Sequence, residues 1–227
     1  MWSKLQAISS ELRVQTNGKK QDKFNIRREI GSNRQKNKKG HLFVVSGPSG
    51  VGKTTLIERF LKEDSSSRFS VSYTTRQRRT NEVNGKDYFF VDKETFERMI
   101  EKGHFLEWEE VHGNLYGTPQ KEVLDALREG IDLFLDIDVN GALRVKEHFE
   151  NACLIFVEPR SPADLMKRLT LRGERDVSLR MKRVSQEMEK KYLFQYCIIN
   201  DKLEQAYLDF IKIIEVVRRK GNGKNHS

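Results

Sequence analysis

Short apolar runs alternate with amphipathic stretches along most of this chain. The runs HLFVVS (41–46), IDLFLDID (131–138) and NACLIFVE (151–158) carry the β-branched and aromatic residues of buried strands. So does YCII at 196–199. Between them, spacing of about 3.6 residues predicts helices over 53–62, 93–102, 139–149, 161–171, 177–193 and 202–219. A further helix is expected to start near Pro119, since a proline suits the first helical turn. Strands alternating with helices imply an α/β domain built on a parallel sheet. The segments FSVSY (69–73), KDYFFV (86–91) and HFLEWEEV (104–111) read as an inserted antiparallel patch of short strands.

Residues 1–40 break this pattern. They hold few aliphatic residues and eleven Lys and Arg against three acidic residues, so nearly all of the chain's net charge of +9 sits there. The remainder is close to neutral, so basicity is no argument for nucleic-acid binding by the folded part. The stretch reads as a solvating tail. Trp2, Leu5, Ile8 and Leu12 at helical spacing leave an organelle-targeting helix open, although Glu11, Asp22 and Glu29 count against it. An electrostatic arm for RNA is the third reading. Residues 220–227 form a polar tail.

The chain has 227 residues, enough for a sizeable core. No apolar run approaches the roughly 18 residues of a membrane span. Cys153 and Cys197 lie in hydrophobic runs, which predicts reduced core cysteines, no disulfide and a cytoplasmic setting.

The first strand leads into Gly47-Pro48-Ser49-Gly50-Val51-Gly52-Lys53-Thr54, with Thr55 following. This is G-x-x-x-x-G-K-[ST] between a strand and a helix, the context a phosphate-binding loop requires. Glycines let backbone N–H groups converge on a phosphate, and the helix N-terminus adds a favourable partial charge. Lys53 supplies a cation for the β- and γ-phosphates, and the Thr54 hydroxyl can ligate Mg²⁺. The loop implies a nucleoside triphosphate and leaves the reaction open.

Residues 69–91, FSVSYTTRQRRTNEVNGKDYFFV, contain S-x-x-x-T-R-x-x-R-x-x-E followed by N-G-x-D-Y. Together with FLEW (105–108), GNLYGTP (113–119), LDID (135–138) and IND (199–201), this resembles the guanylate kinases over nearly all of 41–219. The resemblance implies a P-loop kinase fold: a central parallel sheet flanked by helices, a small mixed α/β GMP-binding insertion and a short lid. The corresponding ranges are a core over 41–71 and 119–219, the insertion at about 72–118 and the lid at about 168–183.

It further implies phosphoryl transfer from ATP to GMP with Mg²⁺. Arg76, Arg79, Glu82, Tyr88 and Tyr116 match the acceptor-phosphate positions. Ser72, Glu107, Thr118 and Asp138 match those that read guanine. The chemistry is consistent: arginine forks suit a dianionic phosphate, and carboxylates accept from the N1–H and N2–H₂ edge that adenine lacks. Arg168, Arg172 and Arg180 match lid arginines that act with Lys53 and Arg76 on the transferring group, and Asn200 matches an adenine contact. Choosing Arg180 over Arg183 keeps the register to Glu187 and Asn200, at the cost of a lid about three residues short. Asp136 either orients Mg²⁺ through water or braces the phosphate loop. No general base is needed, because the attacking phosphate oxygen is already ionised near pH 7. Two rivals stay open: a non-catalytic binding module of this fold, and a kinase for another monophosphate. The expected assembly is a monomer or homodimer without a membrane partner.

Overall fold

A computed structural model describes the backbone of residues 39–111, 113–171 and 177–223, with side chains except at 177–180, 182, 222 and 223. Residues 1–38 of the expected solvating tail, and with them the alternative targeting helix, therefore lie outside the described residues, as does Arg172, and the Arg180 side chain is not described.

The central sheet has five parallel strands in the order β2-β7-β1-β8-β9. These are β1 (Leu42–Ser46), β2 (Ser67–Phe69), β7 (Asp132–Asp136), β8 (Cys153–Glu158) and β9 (Tyr196–Ile199). All five residues of β1 are buried, as expected for a strand covered on both faces. Phe43 and Val45 point to the face covered by α1 (Lys53–Glu63), α5 (Pro162–Leu171), α6 (Val177–Glu189) and α7 (Leu203–Gly223). There Phe43 stacks on Phe134 at 4.8 Å, and Phe60 and Phe210 close over them. Helix α4 (Val139–His148) packs on β1 and buries Val139, Ala142 and Val145.

A second, four-stranded sheet has the order β4-β3-β6-β5. It comprises β3 (Tyr73–Thr74), β4 (Phe89–Phe90), β5 (Phe105–Val111) and β6 (Asn114–Pro119). Its small core is Phe96, Phe105 and Leu115, under α2 (Lys93–Glu101). Phe96 is fully buried and stacks on Phe105 at 4.4 Å, a burial that contributes about 2–3 kcal/mol. Gly117 leaves room for that ring: a Cβ there would lie 2.7 Å from Phe105.

Three expectations need correction. FSVSY is not one strand: the chain leaves the central sheet at Phe69 and enters the second sheet at Tyr73. The patch is not purely antiparallel, because β3 and β4 pair in parallel. GNLYGTP, read only as a motif, carries strand β6, and helix α3 (Gln120–Arg128) starts beside Pro119 as expected, with the proline at its N-cap. Cys153 and Cys197 are both free, but Cys197 is exposed because β9 is the edge strand of its sheet. No helix among the described residues is long and apolar enough to cross a membrane.

Candidate functional site

The phosphate loop leaves β1 and ends where α1 begins. Gly47, Gly50 and Gly52 all have positive φ, a conformation other residues adopt at a cost. Gly47 also lies so close to β8 that a Cβ would meet the Val157 carbonyl at 2.1 Å. Lys53 Nζ donates to the Gly47 and Pro48 carbonyls at 2.8 and 3.3 Å and lies 3.6 Å from Asp136. The Thr54 hydroxyl donates to Asp136 Oδ2 at 2.9 Å. Asp136 thus sits at the carboxyl end of β7, beside the loop, where ligands of parallel α/β sheets collect.

Two residues from the far end of the chain brace the loop. The Asn200 amide donates to the Val51 carbonyl at 2.8 Å. Arg168 reaches both the Val51 and Asn200 carbonyls, at 3.3 and 3.0 Å. Both were singled out from sequence as ligand contacts, and these bonds to the loop backbone come in addition to that expectation.

The second group lies on the four-stranded sheet. Arg76 forms a two-pronged pair with Glu82, at 2.7 and 3.0 Å. Glu82 also accepts from the Arg79 N–H at 2.8 Å. Its carboxylate is therefore spent on fixing the arginines, and a free negative charge would repel a phosphate. Burial works against the charge on both partners. Their mutual contact outweighs it, holding Arg76 above and Glu82 below their ordinary pKa values. The Arg76 guanidinium lies 5.4 Å from the Tyr88 ring, and Tyr88 lies 5.9 Å from Tyr116. Burial and the nearby Asp136 raise the Tyr88 hydroxyl's pKa, so it stays a neutral donor.

Glu107 is buried at the start of β5, where a bulge between Phe105 and Glu107 sets it opposite Thr118. The Thr118 hydroxyl, also buried, donates to Glu107 Oε1 at 2.6 Å. Ser72 is buried as well. Burial pushes the Glu107 carboxyl up to about 7, opposed by Thr118 and Arg144. Asp138 caps α4 by accepting from the Gly141 N–H at 2.7 Å. A Cβ on Gly141 would lie 2.7 Å from Glu107 Oε2 and 3.1 Å from Asp138 Oδ1, so the two carboxylates flank one glycine.

Three residues near these groups were missed or set aside. Arg183 donates to Asp138 Oδ2 at 2.9 Å and to Glu187 at 3.1 Å. The sequence offered it only as an alternative to Arg180. Gly141 and Arg144 went unremarked, although residues 138, 141 and 144 recur at the three-residue spacing of one helix face.

The hydroxyl of Thr54 and the carboxylate of Asp136 are hard oxygen donors in contact, a set that suits Mg²⁺. Among the described residues no cluster of three or more His, Cys, Asp or Glu could hold a metal by itself. Mg²⁺ commonly uses one or two protein ligands together with substrate phosphates and water.

The guanylate kinase family model matches residues 39–217. A guanylate kinase of Thermotoga maritima is 45% identical over 185 residues, covering 80% of this chain and 89% of its own. One of Nitratidesulfovibrio vulgaris is 46% identical over 171 residues, covering 74% and 83%. The crystal structure of guanylate kinase from Anaplasma phagocytophilum superposes with a TM-score of 0.66 at 33% identity, over 80% of this chain and 88% of that one.

Proposed function

The chain belongs to the guanylate kinase family, and we propose that it transfers the γ-phosphoryl group of ATP to GMP, giving ADP and GDP, through the residues assembled above. One observation carries this reading. Asp136 contacts Thr54 and Lys53 of the phosphate loop, and two residues later Asp138 shares Gly141 with Glu107. A single turn of chain therefore joins a triphosphate site to a pair of carboxylates suited to guanine.

In this reading the loop amides of 47–54 and Lys53 bind the ATP phosphates, while Arg76, Arg79, Tyr88 and Tyr116 bind the acceptor phosphate. Glu82 acts by orienting Arg76 and Arg79. Glu107 and Asp138 accept from the guanine edge, with Ser72 and Thr118 as partners. A site built to bond donors rejects a base lacking them by as much as 10⁴–10⁵. Thr54 and Asp136 would hold Mg²⁺, which when bound neutralises phosphate charge. Arg168, which braces the loop from α5 through the Val51 carbonyl, acts with Arg172 and Arg180 on the transferring group, and Asn200 keeps its adenine contact. No proton need be removed by a side chain, so the work is alignment, charge neutralisation and exclusion of water. We assign the acceptor insertion to about 72–118, a span that contains the four-stranded sheet, and the lid to about 168–183. The working form is a cytoplasmic monomer or homodimer.

The test is ADP formation from ATP and Mg²⁺ with GMP, AMP, CMP or UMP supplied separately, beside Lys53→Ala. Turnover with GMP alone, lost in the variant, is the expected result. Folded protein that binds GMP without turning it over would establish a binding module instead.

A further inference from the structure

We infer that Arg144 is a positioning residue for acceptor-base recognition: from helix α4 it ties strand β5 in place and holds the Glu107 carboxylate ready to accept from the base. The inference rests on the reading of Glu107 given above.

The geometry is specific. One nitrogen, Nη2, serves three groups of a single strand segment. It donates to the Trp108 carbonyl at 2.9 Å, makes a short contact with the Glu109 carboxylate, and lies 3.8 Å from Glu107 Oε2. Arg144 belongs to α4, the helix that Asp138 caps and that packs against β5. Its guanidinium therefore pins the acceptor-reading strand to the element that carries the second base-reading carboxylate. Arg144 Nε is buried without a hydrogen-bond partner. A donor left unpaired in this way is unfavourable, so the residue is held by what its Nη2 does.

Glu107 needs such a neighbour. Its Oε1 is taken by Thr118, and Oε2 accepts no hydrogen bond among the described residues. The charged groups facing it are Asp138 at the α4 cap, Glu109 on its own strand and Arg144. Two of these three are carboxylates that disfavour its ionised form, as burial does. Arg144 is the cation in the set. Removing it leaves a buried carboxyl with only a hydroxyl donor and two like charges, which favours the protonated form. A protonated carboxyl presents a donor to a base edge that is itself made of donors.

The experiment compares wild type, Arg144→Met, Arg144→Lys and Glu107→Gln in steady-state kinetics across a pH series, varying GMP and ATP in turn. Methionine keeps the apolar stem while removing the charge. GMP's own phosphate titrates near pH 6, but identically for every variant. The expected result for Arg144→Met is a KM for GMP raised about tenfold, an unchanged KM for ATP, and a kcat/KM for GMP whose acid limb moves to higher pH. Arg144→Lys should return that limb toward the wild-type pH and recover part of the KM, since a lysine restores charge but not the fork. The inference is overturned if Arg144→Met leaves the KM for GMP and the acid limb unmoved while Glu107→Gln raises that KM. Equal rises in both KM values, with a lowered Tm, would also overturn it by showing a merely structural role. If Arg144→Met does not fold, Arg144→Gln takes its place: a raised KM for GMP with the acid limb moved to higher pH supports the inference, and an unmoved KM and acid limb overturn it. A Glu107→Gln enzyme with wild-type KM for GMP would instead sink the site reading itself.

Discussion

Arg183 and Asp138 are joined across 45 residues of sequence by a 2.9 Å hydrogen bond from Nη2 to Oδ2. Asp138 Oδ1 is committed to the Gly141 N–H, so Oδ2 is the oxygen left for a base, and Arg183 covers it. Acceptor binding through Oδ2 must share or displace this contact. Displacing a partly exposed ion pair costs about 0.2–1 kcal/mol. Arg183→Met is therefore expected to tighten GMP binding, measured by calorimetry without ATP, by at most about fivefold. Weaker binding would show that Arg183 supports the base site instead of screening it.

Asp136 receives the Thr54 hydroxyl and faces Lys53. As a partner that orients a metal-binding hydroxyl, it should govern metal affinity. Asp136→Asn keeps the shape but removes the charge, and should raise the Mg²⁺ concentration for half-maximal turnover by about 10–100-fold. A purely structural brace would lower the Tm and leave the Mg²⁺ dependence as it was.

Gly141 lies inside helix α4, where glycine costs roughly 0.5–1 kcal/mol relative to alanine. Propensity alone predicts that Gly141→Ala stabilises the protein. The added Cβ would, however, sit 2.7 Å from Glu107 Oε2 and 3.2 Å from its Cδ. Glu107 is buried and held by Thr118, so it cannot yield without losing its position. We expect Gly141→Ala to raise the KM for GMP about tenfold or more while the KM for ATP stays constant. A KM for GMP equal to wild type would mean that the carboxylate relaxes at no functional cost.

Arg218 binds Asp132 and Asp64 together, tying α7 to β7 and to the turn before β2. Burial works against ionisation of Asp64, but the Ser66 hydroxyl, Arg218 and the Ser66 N–H outweigh it and hold the pKa at about 2, below the usual 3.8. A carboxyl with a depressed folded-state pKa contributes stability in full above its unfolded pKa and loses it as pH falls from about 3.8 to about 2. Arg218→Met should cost about 2 kcal/mol at neutral pH and flatten the acid limb of stability over that window. Urea melts from pH 7 to pH 2 would check this; parallel acid limbs would remove Asp64 and Arg218 from the account.

Sequence alone determined whatever depends on neighbours along the chain. The phosphate loop was legible because strand, glycine turn and helix N-terminus are contiguous, and the required φ values belong to glycines at 47, 50 and 52. The central strands and most helices were legible because burial on both faces leaves continuous apolar runs, and burial on one face leaves a helical period. Arg76, Arg79 and Glu82 were legible as a spaced set through the resemblance to the guanylate kinases, and their ion pair and turn close within six residues.

Tertiary structure decided the rest. The stretch 69–73 is locally strand-like, and only the pairing partners, Phe134 for Phe69 and Gly117 for Tyr73, divide it between two sheets. That Asn200 and Arg168 also brace the Val51 carbonyl, 149 and 117 residues away, was decided by the fold alone. Arg144 and Arg183 look like solvated helix charges in one dimension. They acquire meaning from carboxylates 35 to 45 residues distant, at Glu109 and Asp138. Such pairings carry no local signature, because a charge gains a partner only when packing removes both from water and brings them within a few ångströms.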